Sequence, residues 1–292
     1  MITDAFDGFS FFGRFGFAGS VGLAAPHALH RFADALLSSV HESHVHRGPA
    51  SAGGSRRRPG FALTLDDTTV TLAPYFKVKD LGKFKEIWKA AYDPFAHKDD
   101  CVHYSFGFTE DGTRAHCREA YTSAKTALQH LADVDAALKG VLDGPAELER
   151  LEVHGPKAEI DQLIEPLTPF GCKFFVCEWG FRPAKPAMDP DTVVHLYPYF
   201  TLKDAPAFKK IWGDAYPATK AAATEEKSHQ YAFSFEGDAV ASCRESYGDA
   251  EGVLTHLGNV DAPLKGVLDG PADLLRLEVH GPQSECDKLK EA

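Results

Sequence analysis

The sequence contains no apolar run near the roughly 18 residues that a membrane-spanning helix needs, so none is expected. It also lacks a surplus of positive charge. Lys and Arg number 31 against 42 Asp and Glu, a net charge of -11. Such a surface keeps a protein soluble and sets nucleic acid and anionic lipid aside as partners. The six cysteines include no CxxC pair, and the closest two, Cys172 and Cys177, have no histidine nearby. They read as small buried thiols in a reducing compartment, with a disulfide or metal role as the alternative. A hydrophobic segment of standard secretory form is missing too.

What the sequence does contain is repetition. The segment CREAYTSAKTALQHLADVDAALKGVLDGPAELERLEVHGP (117–156) returns as CRESYGDAEGVLTHLGNVDAPLKGVLDGPADLLRLEVHGP (243–282), with 28 of 40 positions identical at a shift of 126. Upstream, 68–92 matches 192–216 at a shift of 124, and Tyr104, Phe106 and Phe108 match Tyr231, Phe233 and Phe235 at 127. Two long copies indicate a duplicated domain rather than a solenoid. The boundaries expected are a leader over 1–66, a first domain over 67–183, a linker over 184–191 and a second domain over 192–292.

Each copy reads as one pattern. Val70, Leu72, Phe76 and Val78 give a strand with an apolar face. Phe84, Ile87, Trp88 and Ala91 give a helix stripe, as do Phe208, Ile211, Trp212 and Ala215. The aromatics from Tyr104 to Phe108 turn through Glu110-Asp111-Gly112 into a strand carrying Cys117, Glu119 and Tyr121, a hairpin. Ser123 caps a second helix with Leu128, Leu131, Val134 and Leu138 inside, and Gly144-Pro145 ends it. Leu148, Leu151 and Val153 mark a strand that Gly155-Pro156 breaks, and a short helix follows. CKFFVCEWGF (172–181) reads as a strand covered on both faces. The order is β-α-β-β-α-β, a ferredoxin-like α+β arrangement, with a helix and a strand added. Copy two has no counterpart of the added strand, and GFALTLD (60–66) is a candidate to fill that sheet position. The Phe/Gly-rich and Ser/His/Arg-rich leader reads as a targeting or poorly ordered segment, and its His41, His44 and His46 as an adventitious metal cluster. The compartment expected is cytoplasmic, or organellar if the leader is a transit peptide.

The pattern REAYxxAxxxLxHL, followed by RLEVHGP and a short helix, resembles the antibiotic biosynthesis monooxygenase (ABM) superfamily, above all its small bacterial quinol monooxygenase-like proteins. The residues carrying it are Arg118, Glu119, Tyr121, His130 and Arg150 through Pro156, with Arg244, Glu245, Tyr247, His256 and Arg276 through Pro282. The resemblance covers both repeats. It implies a dimeric α/β barrel of two face-to-face sheets, closed here as a pseudo-dimer within the chain or as a homodimer. It further implies cofactor-independent oxidation of a small phenolic, quinol or polyketide-like aromatic by O2, with no metal, flavin or haem. A non-catalytic binding or dimerisation module on the same fold is the alternative.

Alternation nominates the site residues. With Leu151 and Val153 turned to the helices, Arg150, Glu152 and His154 point away from them, as do Arg276, Glu278 and His280. Tyr75 and Tyr199 do the same on the first strands. His103 opposes the aromatic face of its hairpin, where copy two has Gln230. His130 and His256 sit beside a helix stripe, and Trp179 occurs in copy one alone. The catalytic candidates are therefore His154, His280, His130, His256 and His103, since imidazole suits removal of a phenolic proton near neutral pH. Tyr75, Tyr199, Arg150, Arg276, Glu152 and Trp179 are the substrate-binding candidates, able to stabilise an anion or wall a pocket. Each has a structural alternative: packing histidines, and Arg150 with Glu152 as an ion pair stitching two sheets. The face taken by Cys117, Glu119 and Tyr121 is open at this point. A closed apolar cavity of about 300 Å³ between the sheets would favour the enzyme, and an aromatic-filled one would oppose it.

Overall fold

A computed structural model describes residues 63–92, 100–183 and 188–290. The first half runs β1 (Val70–Val78), α1 (Leu81–Tyr92), β2 (Cys101–Phe108), β3 (Arg114–Tyr121), α2 (Ala124–Asp133), α3 (Asp135–Leu142) and β4 (Ala146–Pro156). It ends with α4 (Lys157–Leu167), a 3-10 turn (Thr168–Phe170) and β5 (Lys173–Phe181). The second half runs β6 (Val194–Leu202), α5 (Ala205–Ala222), β7 (Ser228–Glu236), β8 (Val240–Tyr247), α6 (Ala250–Asn259), α7 (Asp261–Leu268), β9 (Ala272–His280) and α8 (Gln283–Lys290). No helix among the described residues is long and apolar enough to cross a membrane.

The strands form a mixed α+β structure around one curled sheet, a half-barrel, in the order β2-β3-β1-β4-β5-β7-β8-β6-β9. Within it the order β4-β1-β3-β2 of the first half returns as β9-β6-β8-β7 in the second. β5 joins them, parallel to β4 and antiparallel to β7. Its two-sided apolar sequence follows from that position. Phe174 and Val176 pack with the first half, while Trp179 and Phe181 enter the core of the second beside Phe208, Trp212 and Phe233.

The helices cover one face of the sheet, and the amphipathic stripes account for it. Phe84 and Trp88 of α1 meet Phe76, Phe106 and Phe108 edge-on or tilted, with centroids 5.1 to 6.0 Å apart. Ser123 caps α2 by accepting from the Thr126 N–H at 3.2 Å. The helix expected to run on through Leu138 is instead two, α2 and α3. Val134, at φ -92 and ψ 2, leaves helical geometry between them, and its N–H still reaches the His130 carbonyl. Nor does Gly155-Pro156 break β4. Both residues pair with β5, at Val176 and Cys177, and α4 starts directly after them. GFALTLD does not take the sheet position beside β9: Leu65 bridges to Gly180 on β5, while Thr64 and Asp66 bond Tyr216 and Lys220 of α5, and residues 60–62 lie outside the described set. Among the described residues β2 and β9 are therefore the sheet edges, and β9 and α6 are the less covered. Leu151 and Leu131 are each 8% exposed, whereas their repeat counterparts Leu277 and Leu257 are 41% and 39% exposed.

The β5–β7 seam depends on one glycine. A Cβ on Gly180 would stand 2.5 Å from the Ala232 Cβ and 2.7 Å from the Tyr231 carbonyl oxygen, both fixed parts of β7. Gly180→Val is expected to part these strands and lower stability by about 1–3 kcal/mol or more, in line with overpacked cores. Urea unfolding would read this, and an unchanged midpoint would show that the seam yields freely.

Candidate functional site

Two clusters of polar side chains are buried in this fold, one on each face of the sheet. The first lies where the two halves meet. Alternation along β4 and β9 turns Arg150, Glu152, Arg276 and Glu278 toward each other, and β1 and β6 add Tyr75 and Tyr199. The partners cross between halves. Tyr75 OH donates to Glu278 Oε2 and Tyr199 OH to Glu152 Oε2, each at 2.6 Å. Arg150 Nη2 donates to Glu278 Oε1 at 2.8 Å, and Arg276 Nη2 to Glu152 Oε1 at 2.7 Å. Each guanidinium also binds the carboxylate of its own strand, at 2.9 and 2.8 Å. It lies flat over the tyrosine of its own half, 3.4 Å from the Tyr75 centroid and 3.3 Å from that of Tyr199. Burial alone would raise both carboxyl groups. The guanidinia, with a histidine beside each acid, overcome it and hold Glu152 and Glu278 well below the usual carboxylate range. Burial and the facing carboxylates push both phenols up.

Histidines surround this cluster. His154 stacks on Phe175 at 4.5 Å, and its Nδ1 lies 2.8 Å from Ser234 Oγ. His280 Nε2 lies 3.5 Å from Glu278 Oε2. His103 bonds Ser105 Oγ at 2.8 Å and faces His195 with ring centroids 5.2 Å apart. Its repeat counterpart Gln230 instead donates to the buried Asp67. His116, Arg118, His195 and Arg244 were not nominated from the sequence. Alternation would have found His116 and Arg118, which have opposite parity to Cys117, Glu119 and Tyr121 on β3. Arg118 Nε donates to Tyr197 OH at 2.5 Å, and Arg244 donates to Thr71. The side chains nearly fill the space. One gap lined by Tyr75, His116, His154 and Tyr199, and another beside His103 and Gln230, each measure about 10 Å³. Each has room for a single water.

The second cluster lies under the helices and occurs twice. Cys117, Glu119 and Tyr121 face α2, which resolves the parity the sequence left open. Tyr121 OH donates to Glu119 Oε2 at 2.7 Å, and His130 Nε2 of α2 lies 3.3 Å from the same oxygen. Tyr104 and Tyr121 flank the imidazole, with centroids 5.3 and 5.0 Å away. Burial pushes Glu119 up to about 7, despite the hydrogen bonds from Tyr121 and Cys117. In the second half Tyr247 OH donates to Glu245 at 2.8 Å, and His256 Nε2 lies 3.5 Å from that acid. Here a second acid, Glu226, sits 3.1 Å from His256 Nδ1 and accepts from Asn259. Burial opposes charge on His256, but the two carboxylates raise it above the ordinary histidine value. Of the nominated residues, His130 and His256 thus lie under the helices. His154, His280, His103, Tyr75, Tyr199, Arg150, Arg276 and Glu152 lie between the sheets. Trp179 joins neither cluster, packing against Phe233 and Phe235 at 5.4 and 5.3 Å.

The buried imidazoles set a pH dependence. Burial holds His103, His154 and His195 below the ordinary histidine value of about 6.5. They stay neutral in the fold and take up protons once it opens. The unfolded chain then binds more protons as pH falls through 6.5, so the stability they contribute is complete above that value and lost below it. Each such ring contributes up to about 1.4 kcal/mol per pH unit. The urea midpoint is expected to fall steeply between pH 6.5 and 5, and His154→Gln to flatten that slope. A wild-type midpoint that is level over this interval would contradict the assignment.

No family model matches the chain, and no curated protein does. Solved structures do. MupZ from Pseudomonas fluorescens is 35% identical over the whole of that chain and 41% of this one, with a TM-score of 0.37. The putative monooxygenases of Lactobacillus acidophilus NCFM and Fusobacterium nucleatum are 13% and 14% identical, with TM-scores of 0.50 and 0.53. They align over 73% and 77% of this chain and 93% and 94% of their own. These two likenesses reach across both halves and show a dimeric α+β barrel type of fold. With its identity to MupZ extending over that protein's full length, the chain belongs to the family of MupZ.

Proposed function

We propose that the chain is a cofactor-independent oxygenase acting on a small phenolic, quinol or polyketide-like aromatic. In this reading its two ferredoxin-like units form a pseudo-dimer within one chain. Support for the architecture comes from the repeated strand order and from likenesses that span both halves at once. Support for the chemistry comes from one observation above all: a carboxyl group poised near neutrality against an imidazole and a phenol. Glu119, raised to about 7, shares its oxygen with Tyr121 and stands beside His130. A base of that strength suits removal of a proton from an activated aromatic near pH 7. Tyr92, in ring contact with Tyr104, and Cys101, beside Glu119, are only partly buried.

The reaction balances without a further reductant. The Glu119–His130 pair takes a proton from an activated ring methylene, and the carbanion passes one electron to O2. The resulting radical pair closes a C–O bond as a hydroperoxide. Loss of the second C–H proton with cleavage of the O–O bond leaves a carbonyl and one water. Tyr121 can donate to the developing oxyanion. Glu152 and Glu278 suit this role less well, because their guanidinium partners hold them strongly acidic, and the gaps beside them measure only about 10 Å³. That filled space favours a second reading, in which the charged inter-sheet face serves assembly alone.

Oxygen uptake with a panel of quinols and anthrones would test the proposal. Wild type is expected to consume O2 with at least one of them. Glu119→Gln and His130→Ala, each with Glu245 and His256 intact, should lower kcat by about 10²-fold or more if the first half dominates, the usual range for a lost acid–base group. His154→Ala should change kcat far less. No uptake with any member of the panel by folded protein would favour the assembly reading. A loss confined to His154→Ala or His280→Ala would move the chemistry back between the sheets.

A further inference from the structure

We propose that His116, Glu278 and His280 form a structural site, separate from the Glu119–His130 chemistry, for one divalent transition-metal ion of the zinc class, shared between the two halves. One ligand atom from each of the three lies within 4.8 Å of the others. All are buried, at 1%, 3% and 3% exposure. Two imidazoles and one carboxylate are a donor set that zinc and ferrous ions accept, with a position left over for a further ligand. The ligands come from both sides of the junction: His116 from β3 of the first half, Glu278 and His280 from β9 of the second.

The orientation of His116 supports the assignment. Its Nδ1 lies 2.9 Å from the Pro74 carbonyl oxygen. A carbonyl can only accept, so Nδ1 carries the hydrogen and the lone pair of the neutral ring is at Nε2. Metal-binding histidines are held in the same way, with the second ring nitrogen donating to a backbone carbonyl or a carboxylate. Glu278 divides its oxygens comparably. Oε1 receives Arg150 and Arg276, while Oε2 faces His280 Nε2 at 3.5 Å. Tyr75 OH, 2.6 Å from Oε2, and the one-water gap beside His116 are within reach as a fourth ligand. With metal–ligand bonds of about 2.0–2.1 Å, tetrahedral donors lie about 3.3 Å apart, so the widest pair must close by about 1.5 Å.

The repeat supplies an internal control. At the position equivalent to His116 the second copy has Ser242, so Glu152 and His154 lack a second imidazole there. His154 Nδ1 is paired with Ser234 instead. Among the described residues this donor set therefore occurs once, although its frame occurs twice.

The test compares the full-length chain with His116→Ser, which copies the Ser242 arrangement. Both are stripped with a chelator and titrated with Zn²⁺ by calorimetry and with Co²⁺ by visible absorption. The leader histidines are present in both proteins, so the difference in stoichiometry reads the buried site. Wild type is expected to take up one more equivalent than the variant, to show the stronger tetrahedral Co²⁺ bands, and to melt at higher temperature with Zn²⁺ added. Equal stoichiometry with no change in melting would overturn the site. Circular dichroism in chelator checks that the variant folds, and His280→Gln takes its place if it does not. None of these measurements depends on oxygenase turnover.

Discussion

The joining of the two halves of the curled sheet depends on two carboxylates that cross between them. Glu152 receives Arg276 and Tyr199 from the other half, and Glu278 receives Arg150 and Tyr75. Each acid has one guanidinium from its own half and a second from the other. Removing one member of a buried charged set commonly costs about 3–5 kcal/mol, because it leaves an uncompensated charge behind. The halves are therefore mutually required, and β5, shared by both, gives that dependence a covalent and hydrogen-bonded counterpart.

The same burial has the opposite effect on the helix side, and this divides the chemistry of the protein. Glu152 and Glu119 are both almost wholly inaccessible, at 1% and 5% exposure. Glu152 has two guanidinia within hydrogen-bond distance and is held strongly acidic. Glu119 has a phenol and an imidazole but no guanidinium beside it, and burial lifts it to about 7. A carboxylate locked by two arginines is a poor base, whereas one that titrates near neutrality can exchange a proton with a substrate. Position relative to the sheet, set by the parity of a single strand, thus decides which acids bind the halves together and which can react.

Parity is also where the sequence was informative and where it failed. The repeat follows from self-similarity, the helices from stripes of 3.6-residue period, and the inward turn of Arg150, Glu152 and His154 from period-2 alternation, which needs only local information. The crossing of their partners does not, since no pattern within one copy states which residues of the other copy will face it. Trp179 was misplaced for a related reason. A strand apolar at both parities offers no marker of its faces, and β5 turns that side chain into the core of the other half. The continuation of β4 through Gly155-Pro156 was hidden because a proline at a strand's last position forgoes its N–H at little cost. The division between α2 and α3 at Val134 left no trace in composition.

The differences between the copies fall unevenly on the two faces. Between the sheets His116 faces Ser242 across the pseudo-symmetry, and His103 corresponds to Gln230. Under the helices the acid, the phenol, the imidazole and the thiol are the same in both copies: Glu119, Tyr121, His130 and Cys117 against Glu245, Tyr247, His256 and Cys243. Packing alone would explain the phenols and thiols. It does not explain the acid. A buried carboxyl group without a guanidinium costs stability in either protonation state compared with an apolar side chain of similar volume. A chain that carries such a group twice, each time against an imidazole, bears that cost at a position where the group's ability to gain and lose a proton is its distinguishing property.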